Sequence, residues 1–451
     1  MPAPHQTPRW PLVAALLAAA PAISAAAEGA APEPAPTPLA ARSGDASGLD
    51  DRDLLEVTGL RNPAGRAEPE PGKLMMFVLP AFALNPSVGV AVGAAASAAI
   101  ALGSPQETTV SSMSASVMVT TKQQIMSSVK TVILTAGNTW ELLGDVRLYI
   151  YSEPTYGLGT GTTPVSGGFQ INGIQTAALP GEQPMDFDYL KVHETVFRKI
   201  TGPYYLGVGY HLDRYADIQD LALDLNAFPP AVTSHYAYSL AEGFDPRAYN
   251  LSGVSLNALV ESRDHTLCAY RGVFAQLSWR VNPTWLGSSR PSSLLYAELR
   301  TYLPLSEERP RHGLAFWAIA QGVMTGKVPY LDLPALGYDT RGRSGRGYAA
   351  GRFRGTSLAY GEVEYRFPLT RNGVLGGVIF ANATTAGRPA LDRPDLGVHD
   401  PGVKLFHAIE PAGGAGLRVM ADRQARMNVT IDYAFGVGGS SGLYLSMGET
   451  F

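Results

Sequence analysis

The sequence predicts an all-β protein, a transmembrane antiparallel β-barrel of about 16 strands. Apolar and polar residues alternate with a period of two in many segments, as expected when strand side chains point to opposite faces. Charged residues make up 16% of the 451 residues, below the roughly 25% typical of soluble domains. The mean hydropathy of +0.01 fits an apolar outer face that balances a polar interior.

The first 27 residues are predicted to be a signal peptide. Arg9 precedes an apolar run, residues 11–23, and small residues follow up to a cleavage site after Ala27. That run is shorter than the roughly 20 residues that a membrane helix needs. Residues 28–73 are rich in Pro, Ala and charge, a composition that cannot bury a core, so we expect a disordered linker.

The barrel is predicted to occupy residues 74–451. The first strand, 74–84, is followed by a turn at Asn85-Pro86 and by an apolar run that we interpret as a second strand rather than a helix. The following strands are expected near 108–121, 125–137, 140–152, 187–199, 203–216, 248–261, 267–281, 291–303, 312–324, 356–368 and 373–384, with three more in 414–451.

Long and short connections alternate along this region. Transmembrane barrels have long external loops and short periplasmic turns, whereas soluble sandwiches do not sort their connections in this way. An even strand number places both chain ends on the periplasmic side. The long connections are 157–186, 217–246, 325–355 and 385–412, and the short ones are 122–124, 138–139, 200–202 and 369–372.

The last segment is predicted to be the closing hairpin of the barrel. In the final strand, Leu443, Leu445 and Met447 share the outward face, and Tyr444 lies on the other face. This strand, with Gly448 three residues before the terminal Phe451, resembles the C-terminal targeting strand of the surface-antigen barrels of the BamA/TamA superfamily. The resemblance implies that the outer-membrane assembly machinery reads these residues, and we expect Glu449 on the lipid side near the membrane rim, where charge costs little.

A second resemblance lies in the connection 325–355. Gly345, Arg346, Gly347 and Tyr348 are similar to the Arg-Gly-aromatic tip of the sixth external loop of that superfamily. The resemblance implies that this loop folds back into the barrel and that Arg346 contacts lumen-facing residues. A guanidinium in a partly desolvated lumen favours carboxylates.

The strand after this loop offers such carboxylates. Glu362 and Glu364 share one face, which must be the lumen because two carboxylates facing lipid would be prohibitive. Where the family commonly has an aspartate in the next strand, this chain has Asn382, so we expect a hydrogen bond to the loop rather than a salt bridge. The alternative is that the arginines of the loop are solvated charges on an external surface.

Catalytic, metal and cofactor motifs are absent from the sequence. The single cysteine, Cys268, excludes a disulfide framework and a cysteine-based metal site. His211 lies near Asp213, where we expect a solvated extracellular rim rather than a metal site. There is no nucleophile elbow, phosphate loop or zinc spacing, so we expect no enzyme, no cofactor and no metal. The net charge of -4 argues against a nucleic-acid partner.

The resemblance implies an integral barrel of the bacterial outer membrane that assists insertion or translocation of protein or lipid. Weak closure between the first strand (74–84) and the last (442–451) would permit lateral opening. The alternative is a passive channel or a structural surface antigen. The expected partners are outer-membrane lipid, the assembly machinery, and a periplasmic partner bound by residues 28–73, because about 45 residues are too few for the POTRA domains of longer relatives.

Overall fold

The computed structural model describes residues 72–104, 107–161, 169–177, 179–265, 268–306, 309, 311–423 and 426–451. Within these residues, sixteen strands pair in chain order, each antiparallel to the next, and the last strand meets the first to close a barrel. The prediction of an all-β transmembrane barrel of about 16 strands is confirmed. The predicted signal peptide (1–27) and nearly all of the predicted linker (28–73) lie outside the described residues.

The strands are numbered β1 to β16 in chain order. The first eight are β1 Met75–Asn85, β2 Gly89–Ile100, β3 Ser111–Thr120, β4 Ile125–Leu134, β5 Trp140–Thr155, β6 Gln183–Thr201, β7 Tyr204–Asp220 and β8 Tyr249–Glu261. The other eight are β9 Gly272–Asn282, β10 Ser292–Pro304, β11 Gly313–Gly326, β12 Ser357–Pro368, β13 Leu375–Gly387, β14 Glu410–Asp422, β15 Met427–Gly436 and β16 Ser441–Met447.

Alternation along the strands separates the lumen from the outer face. In β12, Glu362 and Glu364 are 4% and 0% exposed, whereas the side chains between and after them, Val363 and Tyr365, are 37% and 38% exposed. The two carboxylates therefore face the lumen and the apolar residues face lipid, because a charge in the hydrocarbon region is costly. The apolar run after Asn85 forms strand β2, as predicted.

The four long connections, 156–182, 221–248, 327–356 and 388–409, all lie at one end of the barrel, which we call the loop end. The short turn between β3 and β4 also lies at the loop end, because it follows an odd-numbered strand. The predicted alternation of long and short connections is therefore wrong at this turn. The connection 221–248 contains a helix, Ser234–Glu242. The connections 156–182 and 388–409 each contain a small hairpin, which pairs Gln170–Ile171 with Ile174–Gln175 in the first and Leu391–Arg393 with Val398–Asp400 in the second.

Among the described residues, no helix has the length and apolar character needed to cross a membrane.

The closure between β1 and β16 is much shorter than the other strand pairings. Across the described residues, β1 faces β2 at eleven positions and β15 faces β16 at seven, whereas β1 and β16 are paired at one position, Leu84 opposite Leu445. We call this junction the seam. Away from that position, the backbone N–H and C=O groups at the facing edges of β1 and β16 lack the hydrogen-bonded ladder that joins the other neighbouring strands.

Candidate functional site

The connection 327–356 folds into the barrel, and we call it the inserted loop. Its first part is fastened at the loop end of the barrel by tyrosine hydroxyls. The Tyr330 hydroxyl lies 2.6 Å from Thr155 Oγ1 of β5, and the Tyr238 hydroxyl donates to the Val328 carbonyl at 2.9 Å. The Arg354 guanidinium, 1% exposed, donates to the Leu331 carbonyl at 2.6 Å and closes the base of the loop. These contacts hold both ends of the loop before it descends into the lumen.

A tight turn in the middle of the loop is organised by Asp339. Its carboxylate accepts backbone N–H groups from Arg341 at 2.9 Å, Gly342 at 2.8 Å, Arg343 at 3.1 Å and Ser344 at 2.9 Å. Burial opposes ionisation, but the hydrogen bonds from Ser344 and Arg341 and the charge of Arg300 together outweigh it and lower the pKa of Asp339 below its ordinary value. Asp339 thus stays charged and presents the next residues toward the strands.

Glycines flank the arginine at the loop tip. Gly345 has φ +85° and Gly347 has φ +104°, a backbone region that L side chains rarely adopt. Space is also limited, because a Cβ on Gly347 would lie 2.8 Å from the Cβ of Ala412 in β14. The tip therefore requires small residues at these two positions to bring its backbone against the barrel wall.

Arg346 is the centre of the anchor. Its Nη1 donates to Asp432 Oδ2 of β15 at 2.6 Å, and its Nη2 contacts both Glu362 and Glu364 of β12. All four side chains are buried. Burial would lower the pKa of Arg346, but Glu362 and Glu364 outweigh it and raise that pKa well above its ordinary value. The structure therefore brings together the arginine and both carboxylates that the sequence singled out.

Two residues of β13 complete the contacts of the tip. The guanidinium carbon of Arg346 lies 3.5 Å from the ring centroid of Phe380, a cation–π geometry. Asn382 Nδ2 donates to the backbone carbonyl of Arg346 at 3.0 Å. A hydrogen bond between Asn382 and the loop was expected, and Asn382 makes it as a donor to the loop backbone rather than as an acceptor from the guanidinium.

Sequence reasoning missed Asp432 and Arg418 as parts of the site. Alternation of residues 427–435 places Asp432 on the polar face of its strand, but nothing nearby in the sequence indicates a partner. In the structure it lies between Arg346 and Arg418 of β14, with which it also forms a salt bridge. The inward position of Asp432 was readable from alternation; its role in holding the loop depends on strands far apart in the chain.

The end of the chain corrects two expectations. Strand β16 ends at Met447, and Gly448, with φ +80°, turns the chain into the barrel. Glu449 is 3% exposed and accepts from Arg418 Nε at 2.8 Å, so its predicted position on the lipid side was wrong. Phe451 is 1% exposed, with its ring 5.1 Å from that of Trp317 inside the lumen. Gly448 and Phe451 thus lie beyond the strand. The chain turns inward because the lumen offers Arg418 as a partner for Glu449 and an aromatic contact with Trp317 for Phe451.

The inserted loop touches both sides of the seam. On the β16 side, the Tyr444 hydroxyl accepts from the Gly347 N–H at 2.9 Å and donates to the Tyr348 carbonyl at 3.1 Å. On the β1 side, the N–H of Ala350 donates to Ser87 Oγ, in the turn between β1 and β2, at 2.7 Å. Tyr348 is buried and donates to the Pro411 carbonyl at 2.6 Å. The loop therefore bridges the two strands that pair at a single position.

The histidines on β6 and β7 lie on the lumen wall, so the solvated rim predicted for His211 was wrong. Its Nε2 lies 2.7 Å from Ser255 Oγ, and its ring is 4.6 Å from that of His193. His193 Nε2 lies 2.9 Å from Asp213 Oδ2, which Arg280 also contacts. Within the described part of the chain, no group of three or more His, Cys, Asp or Glu side chains is arranged to hold a metal ion.

A solved structure agrees with this architecture. The crystal structure of BamA from Haemophilus ducreyi lacking POTRA domains 1-3 is similar in fold, with a TM-score of 0.51, 12% identity, and coverage of 83% of this chain and 70% of that chain. CdiB from Acinetobacter baumannii gives a TM-score of 0.44 and 11% identity, covering 83% of this chain and 65% of that chain. No curated protein matches the sequence. The model of the Omp85 superfamily domain matches residues 194–451, more than half of the chain, and the protein belongs to the Omp85 superfamily.

Proposed function

We propose that this barrel resides in the bacterial outer membrane and inserts or translocates other polypeptides there by opening at the seam. The observation that carries the proposal is the single paired position between β1 and β16, Leu84 opposite Leu445. Unpaired backbone groups are costly in lipid, so short strand edges at this junction favour pairing with another strand. An incoming strand can add to such an edge by main-chain hydrogen bonds, as in β-augmentation.

The inserted loop supplies the second element of the proposal. Because it contacts Ser87 on one side of the seam and Tyr444 on the other, its position is coupled to closure. A loop held by Arg346 keeps the two sides together, and a released loop leaves Leu84 and Leu445 as the remaining link. This arrangement supports an opening barrel over a passive channel.

The partners follow from the same proposal. Outer-membrane lipid surrounds the apolar outer face, and the assembly machinery acts on the chain during its own biogenesis. We assign to residues 28–73 the binding of a periplasmic partner, and the proposed role needs no covalent catalysis and no nucleic acid. A pull-down with residues 28–73 deleted tests the partner assignment directly.

The experiment for the seam is a reversible disulfide. Leu84→Cys with Leu445→Cys places two cysteines at directly opposed positions, the geometry that a disulfide across antiparallel strands needs. The full chain is reconstituted in lipid vesicles, and the folding of a denatured client barrel is followed by its protection from protease. We expect oxidation to abolish the acceleration of client folding and reduction to restore it.

The matched control carries Val92→Cys with Val119→Cys, an opposed pair between the fully paired strands β2 and β3. Oxidation of this control should leave client folding unchanged, because these strands do not part. Equal acceleration by the oxidised and reduced seam variant would overturn lateral opening.

A further inference from the structure

A cavity of about 650 Å³ lies in the lumen between the inserted loop and the barrel wall. Strands β4, β5 and β6 form one side of it, through residues that include Lys130, Arg147 and Lys191. The inserted loop faces this wall with Arg341 and Arg343. The cavity is far larger than one water molecule and is lined by more cations than anions, in a chain whose net charge is -4.

Three cations of the wall share one carboxylate. Asp145 contacts Arg147 at 2.7 Å and Lys191 at 3.0 Å, and the strand register places Lys130 directly opposite Asp145 and Arg147 directly opposite Lys191. Like charges at opposed positions are unfavourable unless an anion lies between or above them. Three positive charges and one negative charge leave a local excess of two.

Lys130 is the unmatched member of this group. Among the described residues, its ammonium makes no hydrogen bond or salt bridge. Asp145 lies within electrostatic reach of it, but so do three cations, Arg147, Lys191 and Arg343. An ammonium that is largely removed from bulk water and surrounded by other cations is unfavourable without a counter-charge. We call Lys130, Arg147 and Lys191 with Asp145 the cationic wall.

The other carboxylates that line the cavity do not supply that counter-charge. Asp213 contacts Arg280 at 2.7 Å, and Asp432 contacts Arg346 at 2.6 Å. Glu153 accepts from the Tyr338 hydroxyl at 2.7 Å. Burial and the charge of Asp213 raise the pKa of Asp332, on the inserted loop, well above its ordinary value, which favours its neutral form. The positive potential of the cationic wall is therefore not cancelled across the cavity.

The same cavity extends to the seam. Its lining includes Leu84 of β1 and Leu445 of β16, which pair at the seam, together with Tyr444. An amphiphile could thus keep its acyl chains in the bilayer while its headgroup passes the seam into the lumen. A soluble anion does not need a lateral opening to reach the lumen. The connection of the cavity to the seam therefore favours a lipid headgroup as the anion that balances the cationic wall.

We propose that the cationic wall binds the phosphate headgroup of an anionic lipid that enters the lumen through the seam. The inference rests on the proposed function, since the lipid uses the same opening, and it names a second class of ligand for it. The ammonium groups of Lys130 and Lys191 donate to the phosphate oxygens. Arg343 of the inserted loop, whose guanidinium donates to the Glu449 and Met447 carbonyls at 2.6 and 2.9 Å, adds positive charge to the cavity.

The test is calorimetric titration of the full chain in a zwitterionic detergent. The probes are short-chain phosphatidylglycerol, short-chain phosphatidylcholine and inorganic phosphate. We expect phosphatidylglycerol to bind most tightly, and the variant Lys130→Gln/Lys191→Gln to lose about tenfold or more in affinity because two charge-assisted hydrogen bonds are removed. Lys130→Arg/Lys191→Arg should retain binding, and Lys404→Gln, an exposed charge on the connection 388–409, should match the wild type.

The faster electrophoretic migration of folded barrels checks that each variant is folded. Binding that is unchanged in the Lys→Gln variant, or equal for both lipids, overturns the proposal. Inorganic phosphate binding as tightly as phosphatidylglycerol overturns a lipid source. The titration needs no client protein, so a chain that binds the lipid but fails the client-folding experiment contradicts the proposed function alone. A chain that folds clients but binds no lipid contradicts this inference alone.

Discussion

Arg346 Nη1 lies 2.6 Å from Asp432 Oδ2, and this contact joins the tip of the inserted loop to the strand next to the seam. Asp432 is opposed by Tyr444 of β16 in the strand register, and Tyr444 also binds the loop backbone. The loop and the last two strands therefore form one connected unit. A substitution in the inserted loop should therefore change closure at the seam, and a substitution at the seam should change the position of the loop.

Removal of the arginine should open the lumen. In Arg346→Ala, the buried Glu362 loses its salt-bridge partner, whereas Asp432 keeps Arg418 and Glu364 keeps Arg366. Breaking a buried pair in this way costs about 3–5 kcal/mol. We expect the loop to leave the lumen for part of the time, so that single-channel conductance in planar bilayers rises from small and flickering to larger and longer-lived.

Arg371→Ala is the matched control for conductance. Arg371 lies in the turn between β12 and β13, at the opposite end of the barrel from the inserted loop. Its removal should leave conductance as in the wild type. A large, steady conductance that is the same in the wild type and in Arg346→Ala would contradict the role of the loop as a plug.

The coupling between Arg346 and Asp432 is measurable by a double-mutant cycle. Arg346→Gln and Asp432→Asn should each lower the free energy of unfolding in urea, and together they should lower it by less than the sum. We expect a coupling of about 1–3 kcal/mol, within the range for residues of one buried network. Asp245→Asn, in the connection 221–248, should instead add to Arg346→Gln without coupling, and an additive Arg346/Asp432 pair would contradict direct anchoring.

Local patterns in the sequence were sufficient to predict the strands and part of the site. Period-two alternation placed Glu362 and Glu364 on the lumen face, and the glycines around Arg346 indicated a tight tip. Both features depend on residues close in the chain. The number of strands followed from the same alternation, because each strand is long enough to show it.

What the sequence could not predict depends on contacts between distant strands. Asp432 contacts Arg346 because the loop inserts into the barrel, and Arg418 contacts Asp432 from the neighbouring strand β14. The register of these strands is set by pairing that no local pattern encodes. The inward turn at Gly448 was missed because alternation was extended to the end of the chain. The ion pair of Glu449 with Arg418 favours the lumen over continuation of the strand.

The loop tip should tolerate no side chain at Gly347. In Gly347→Ala, the new Cβ would lie 2.8 Å from Ala412, and the φ of +104° adds backbone strain. We expect displacement of the tip, seen as faster protease cleavage between residues 341 and 354 in the reconstituted barrel. Gly361→Ala is the control, because its Cβ meets no atom within 4 Å and its φ is ordinary for a strand. Equal cleavage of the two variants would contradict the tight fit.

Acid should weaken the closure at the chain terminus through Glu449. Burial opposes its ionisation, but Arg418 and Arg366 outweigh it and hold the pKa of Glu449 at about 2, below its ordinary value of 4.5. A pKa that is lowered on folding means that the ionised group stabilises the folded state above pH 4.5, and that this contribution is lost as the pH falls through about 2.

Comparison with a variant isolates this contribution from the titration of other carboxylates. Unfolding temperatures of the wild type and of Glu449→Gln are followed by electrophoretic mobility in detergent from pH 7 to pH 2. The wild type should be the more stable of the two above pH 4.5, and the difference should shrink steadily below it. Asp245→Asn should show no such pH-dependent difference. A gap between wild type and Glu449→Gln that stays constant down to pH 2 would show that the ion pair with Arg418 contributes nothing to folding.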